Sequence, residues 1–313
     1  MRWTRMLQIA AAALMLGLLW AALDGARALH LLARAEPGWL GAALLALTAQ
    51  TVLSAWRWRV TAGQLGQTIP LPRAISEYYL AQVVNQSLPG GVLGDAGRVL
   101  RARHGTGLAR AGAAVAVERL AGQITLFLVL LAGMIFMGLA PGGMAMPPWV
   151  LVLVGMLLTA GLAMAAGIAC TGRLSGRAGR VARDLRRVLR VTLFSRQALP
   201  RQILLNLAIT FANVAAFAFC ARSIGTVLSP GQATVLVPLI LLTMILPLTI
   251  SGWGLREGAA AGLFPLAGAS AQAGLAASLA FGLVFLASTL PGLLVLLACR
   301  PKPPQASIAQ ADP

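Results

Sequence analysis

The chain has 313 residues, of which 58% are hydrophobic and 11% charged, with a formal net charge of +17 and a mean hydropathy of +0.82. That composition excludes a soluble domain of this length, and apolar blocks of about 20 residues exclude a transmembrane barrel, whose strands alternate over about ten. The arginines sit in short segments between apolar blocks, where the positive-inside rule places them, so topology and anionic headgroups account for the charge without nucleic acid.

The first apolar block, Met6 to Leu23, follows Arg2 and Arg5. It is longer than a signal-peptide core and has no clear small-residue cleavage site before Asp24, so it reads as a membrane anchor with a cytoplasmic N-terminus. The charges of the next loop, Asp24, Arg27, Arg34 and Glu36, cancel, as an outside loop allows. A second helix, about Trp39 to Trp58, returns inside to Arg57 and Arg59, with Arg73 beyond. Ala74 to Leu93 is apolar, yet both of its flanks look cytoplasmic, since Arg98, Arg101, Arg103 and Arg110 follow. A re-entrant hairpin turning at Leu88-Pro89-Gly90-Gly91 satisfies both constraints, with Glu77 near one end and Asp95 and Arg98 on the way back.

A third helix, about Ala113 to Gly138, carries Glu118 and Arg119 early and ends at an uncharged turn, Ala140 to Gly143. Those two charges point about 100° apart, so only one can easily face a cavity; the expectation is Glu118 inward and Arg119 toward the headgroups. A fourth helix, about Trp149 to Cys170, leads into the segment 173–201, which holds nine arginines against Asp184. There Val181, Leu185, Val188 and Leu189 share one helical face, extended by Thr192, opposite Arg183, Arg186, Arg187 and Arg190. This reads either as an interfacial helix on anionic headgroups or as a solvated basic linker, on the cytoplasmic side in both cases.

A fifth helix, about Gln202 to Arg222, goes out. The block Thr234 to Ile250 follows, then a break from Ser251 to Gly258, then Ala259 to Leu266, and a sixth helix, about Gly274 to Cys299, returns to Arg300 and Lys302. From Ser223 to Leu255 there is no charged residue, nor from Gly258 to Cys299, so Arg256 and Glu257 stand alone. Pro247, Gly252, Gly254 and Gly258 break the helix around them, and broken backbone at membrane depth must line a protein cavity. The expectation is an all-α integral membrane protein with about six transmembrane helices and two opposed re-entrant hairpins in an inverted-repeat arrangement. It forms one membrane domain over 1–300, with repeats at about 6–138 and 149–299 and a disordered cytoplasmic tail at 301–313.

The inverted arrangement puts a ligand site near the midplane, where the hairpins meet. In one reading Arg256 and Arg98 hold a lipid head, Glu257, Asp95 and Glu118 balance or release it, and Asp95 faces Arg256 while Glu257 faces Arg98. Gly90, Gly91, Gly252 and Gly254 then allow close backbone approach. In the other, the charges form structural ion pairs and the glycines permit tight packing. Asn85, Gln86, Gln123, Asn206 and Asn213 read as interhelical hydrogen-bonding groups. Cys170, Cys220 and Cys299 form neither a disulfide framework nor a zinc spacing, and neither metal nor cofactor is expected.

Ser87-Leu88-Pro89-Gly90-Gly91, Gly94-Asp95 and Arg98, then Glu118-Arg119, Leu246-Pro247, Ser251-Gly252-Trp253-Gly254, Arg256-Glu257-Gly258 and Pro291-Gly292 occur in that order. The set resembles the flippase-like membrane domain of the lysylphosphatidylglycerol synthase transmembrane family from about Met6 to Arg300. The resemblance implies movement of a lipid or its headgroup between leaflets of the bacterial inner membrane, by a standalone form without the soluble synthase domain. It makes a hopanoid a candidate substrate and lipid-synthesis enzymes candidate partners. The expected function is that of a lipid transporter rather than an enzyme; the alternative is a membrane-embedded lipid-modifying transferase or an accessory subunit of lipid or hopanoid assembly.

Overall fold

The computed structural model describes residues 2–87, 92–140, 143–171, 176–193, 195, 198–245 and 249–298. The Leu88 to Gly91 turn with the candidate residues Gly90 and Gly91, the Leu246-Pro247-Leu248 break and the 301–313 tail lie outside the described residues. No strand occurs among those described. The elements are α1 (Arg2–Ala22), α2 (Gly25–Ala33), α3 (Pro37–Gln64), α4 (Leu71–Ser87), α5 (Leu93–Thr106), α6 (Leu108–Leu139) and α7 (Pro148–Thr171). They continue with α8 (Arg177–Leu193), α9 (Leu199–Ser223), α10 (Pro230–Leu242), α11 (Leu255–Leu263), α12 (Ala271–Ser288) and α13 (Pro291–Ala298). Among the described residues five spans are long and apolar enough to cross a membrane, with α12 and α13 together forming one of them, or six if α1 and α2 count as one bent span.

The departures from expectation occur where local chemistry bends a helix. The loop expected after Leu23 contains α2, turned 94° from α1. Asp24 sits in the left-handed region at φ 52°, and its carboxylate accepts from Arg27 N as the cap of α2. The expected sixth helix is divided at Pro291, which has no N–H to continue the ladder of α12.

The centre of the bundle is the antiparallel pair α3 and α9. Pro37 opens α3 at a position that needs no N–H donor, and Glu36 N donates to Ser223 O at the far end of α9 at 2.8 Å. At the other end of the pair Gln202 Nε2 donates to Thr61 Oγ1 at 2.9 Å. One hydrophobic core joins both halves of the chain, from Ala43 and Leu47 through Leu130 and Val154 to Phe217 and Phe281. On the periphery α7 exposes Leu151, Val152, Met156 and Leu162. Side chains of that kind on an outer helix are suited to lipid.

The two broken elements are hairpins of helix. In the first, α4 and α5 pack so closely that a Cβ on Gly94 would lie 2.0 Å from Ala81 O, and Asn85 Oδ1 accepts from Gly94 N at 2.7 Å. In the second, α10 begins with a capping box between Ser229 and Gln232, and the chain leads into α11 through Ser251 in the left-handed region at φ 51°. The hairpins touch where the Ser251 hydroxyl donates to Gln86 Oε1.

Candidate functional site

Two buried ionic clusters occupy the interior, and each draws on one hairpin. The first gathers Arg57 from α3, Tyr78 from α4, Asp95 and Arg98 from α5, Glu118 and Arg119 from α6 and Asn206 from α9. Glu118, 1% exposed, lies 3.3 Å from Arg57 Nη2 and 3.2 Å from Arg98 Nη2, and it accepts from Tyr78 Oη at 2.5 Å. Asp95 receives Arg98 Nη2 at 3.0 Å on one oxygen and Arg119 Nε at 2.8 Å on the other. Arg57 Nη1 donates to Asn206 Oδ1 at 2.6 Å. Three guanidiniums therefore surround two carboxylates.

Arg98 is the centre of this arrangement. It is 1% exposed, and its guanidinium carbon lies 4.6 Å from the Trp58 ring centroid and 4.5 Å from that of Tyr78. Two π-faces stabilise the cation where water cannot reach it. Yet Arg98 Nε and Nη1 have no hydrogen-bond acceptor, and Arg57 Nε and Trp58 Nε1 have none either. An unmade hydrogen bond of a buried donor costs about 1–3 kcal/mol, so four such donors in adjoining residues leave hydrogen-bonding capacity that the protein itself does not fill. Glu118 Oε2 also lacks a hydrogen bond although it is already beside Arg98, and so does Gln202 Oε1, on the residue whose carbonyl accepts from Asn206.

The second cluster is closed. Arg256 donates to Glu257 Oε1 from Nε at 3.1 Å and from Nη2 at 2.5 Å, and from Nε to Ser278 Oγ at 3.0 Å. Ser278 in turn donates to Glu257 Oε1 at 3.0 Å. Glu257 Oε2 accepts from Gly254 N at 2.7 Å, so the N-terminus of α11, expected to offer its N–H groups to an anion, already holds the chain's own carboxylate. Trp253 and Phe281 cover the cation at 5.0 and 5.4 Å. Both charges are 1% exposed or less, and every polar side-chain atom of the pair except Arg256 Nη1 is engaged among the described residues. This is the geometry of a structural clamp.

The glycines around the clamp serve packing. Gly254, at φ +88°, is pressed against α1, where a Cβ would meet Met15 Cβ at 2.8 Å, and a Cβ on Gly252 would meet Met244 at 2.7 Å. Gly282, which the sequence did not single out, leaves room for the arginine: a Cβ there would lie 2.3 Å from Arg256 Nη2.

The expected pairing of Asp95 with Arg256 and of Glu257 with Arg98 does not occur: Asp95 takes Arg98 from its own helix and Arg119 from α6, and Glu257 takes Arg256 beside it. The separation can be measured along α9. Asn206 belongs to the first cluster, while Phe217 packs 5.2 Å from Phe281, the ring over Arg256. Those two positions are about 16 Å apart along a helix axis. The first cluster also lies nearer one end of the bundle than its middle, since Arg57 is two turns from the end of α3. Glu118 points inward, as expected. Arg119 differs from expectation in part: its side chain is 51% exposed, yet it clasps Asp95.

Arg57, Trp58 and Tyr78 were not among the candidates, since an arginine and aromatics near a helix end look like ordinary headgroup anchors. Asn206 forms the interhelical bond expected of it. Among the described residues no group of three or more His, Cys, Asp or Glu could hold a metal.

Residues 6–292 match the family described as Lysylphosphatidylglycerol synthase TM region. No curated protein and no solved structure matches the chain. The family match and the apolar helices together make this a multi-pass membrane protein with a role connected to membrane lipid.

Proposed function

This chain belongs to the Lysylphosphatidylglycerol synthase TM region family, and we propose that it moves an anionic lipid headgroup between the leaflets of the bacterial inner membrane. The observation that carries this reading is Arg98, buried between Trp58 and Tyr78 with two N–H-bearing nitrogens unfilled. A guanidinium presents paired donors to a phosphate, and a desolvated one binds it strongly. Asp95 and Glu118 hold the cation when the site is empty and exchange it for the ligand's oxygens, so the charge is never left alone in the hydrocarbon. A set of unfilled donors favours a phosphate or carboxylate over a hopanoid without an oxyanion.

The α4–α5 and α10–α11 elements act as re-entrant hairpins from opposite faces in an inverted repeat, and Gln86 and Ser251 mark where their tips meet. Arg256 and Glu257 keep the second hairpin in shape. Both termini lie at the cytoplasmic face, with the arginines of α8 against anionic headgroups. The cluster's acids and arginines are engaged with one another, which suits reversible binding better than transferase chemistry.

The test is a vesicle assay that follows how fast a fluorescent anionic phospholipid in the inner leaflet becomes accessible to an impermeant reductant. Wild-type protein accelerates the exchange and Arg98→Gln removes the acceleration. Equal rates for the two proteins would overturn the proposal.

A further inference from the structure

The turn from α3 into α4 and the facing side of α5 enclose a cavity of about 180 Å³, walled by Trp58, Ile69, Pro70, Arg73, Glu77 and Arg101 among others. Arg101 Nε donates to Glu77 Oε2 at 2.6 Å while the arginine side chain keeps 40% of its surface exposed, so this pair is neutral and still reachable. Arg73 is exposed and, among the described residues, joins no ion pair. Two guanidiniums against one carboxylate leave the cavity with one positive charge. Trp58 lines this cavity and also stacks on Arg98, so one indole stands between the cavity and the buried cation. Arg101 follows Arg98 by one helical turn on α5, and Glu77 precedes Tyr78 on α4.

We propose that this cavity is an outer binding station for a phosphodiester monoanion, the headgroup of an anionic lipid, held by Arg73 and Arg101 before it passes Trp58 to reach Arg98. One negative charge balances the excess of one guanidinium. The apolar walls Trp58, Ile69 and Pro70 fit the glycerol and first acyl carbons of a lipid better than a free phosphate ester. Glu77 competes with the ligand for Arg101, occupying it until a phosphate arrives. The passage to Arg98 rests on the transport reading above; binding in the cavity does not.

The experiment is calorimetric titration of the full chain in uncharged detergent with dihexanoyl phosphatidylglycerol, and with glycerophosphoglycerol as the same diester without acyl chains. The lipid binds more tightly than the bare diester. Arg73→Gln weakens lipid binding about tenfold, the scale of one hydrogen-bonded charge contact. Glu77→Gln strengthens it about threefold by freeing Arg101. These opposite signs separate a binding station from a merely structural cavity, in which neither change favours binding. Lipid affinity unchanged within about twofold in Arg73→Gln overturns the station, and so does weaker binding in Glu77→Gln. Equal affinity for lipid and bare diester overturns the headgroup assignment in favour of a free phosphate ester. Arg98→Gln separates the two proposals: if it leaves transport intact while Arg73→Gln still weakens binding, the transport reading fails and the station stands.

Discussion

Arg98 and Arg256 are both 1% exposed arginines, both covered by two aromatic rings and both beside a carboxylate. They differ in what remains unfilled. Around Arg256 the carboxylate of Glu257, the hydroxyl of Ser278 and the N–H of Gly254 close on one another. Around Arg98 the acids are shared among three arginines, and two of its own nitrogens have no acceptor. Burial of a charge is therefore a poor guide to function by itself. The discriminating quantity is hydrogen-bonding capacity left over after the protein has satisfied what it can.

The sharpest way to break the comparison is to remove one partner at a time and then both. Arg256→Ala leaves Glu257 buried without its cation and is expected to destabilise the protein by about 3–5 kcal/mol, read as a lowered thermal midpoint in detergent. The double replacement Arg256→Met with Glu257→Gln, which keeps an acceptor for Gly254 N, recovers most of that loss and leaves lipid exchange near wild type. A double variant that folds but no longer exchanges lipid would make the second cluster more than a clamp. The parallel pair Arg98→Met with Glu118→Gln abolishes exchange even where the fold survives.

Tyr78→Phe keeps the ring beside Arg98 but removes the donor to Glu118, a hydrogen bond to a charged group worth about 1.5–3 kcal/mol. Exchange should slow while thermal stability falls by that order; a change in neither would remove Tyr78 from the cluster's account. Gly282→Ala pushes a methyl against Arg256 and is expected to cost about 1–3 kcal/mol, lowering the thermal midpoint with little effect on exchange per folded molecule. The smallest effect belongs to Ser251→Ala, which deletes the contact between the hairpin tips at about 0.5–1.5 kcal/mol. Hydrogen exchange at the start of α11 should rise locally without a shift in global unfolding.

How much of this could be read in advance depends on the range of the signal. The apolar blocks, the isolation of Arg256 and Glu257, and the breaks at Pro and Gly are properties of neighbouring residues, and helices form and stop near the expected places. Glu118 and Arg119 could be read as one facing inward and one outward because helical geometry separates them by a known angle, although that angle does not say which is which. The partners of Asp95 could not be assigned in the same way, since Arg98, Arg119 and Arg256 all offer the same chemistry. Arg57 was harder still: two turns from the end of α3, it looks like any arginine that marks the cytoplasmic side. Only the packing of α3 against α9 turns it toward Asn206 and Glu118.

The sequence by itself determined that this is an all-helical membrane protein of a particular family, with two helix breaks that each carry an arginine and an acid. Hydropathy, proline and glycine act over one or two turns, so no tertiary knowledge is required to read them. The tertiary structure alone decided that one arginine is closed off and the other left with free donors. That outcome depends on which helices face each other and at what height along the bundle, and residues far apart in the chain set both.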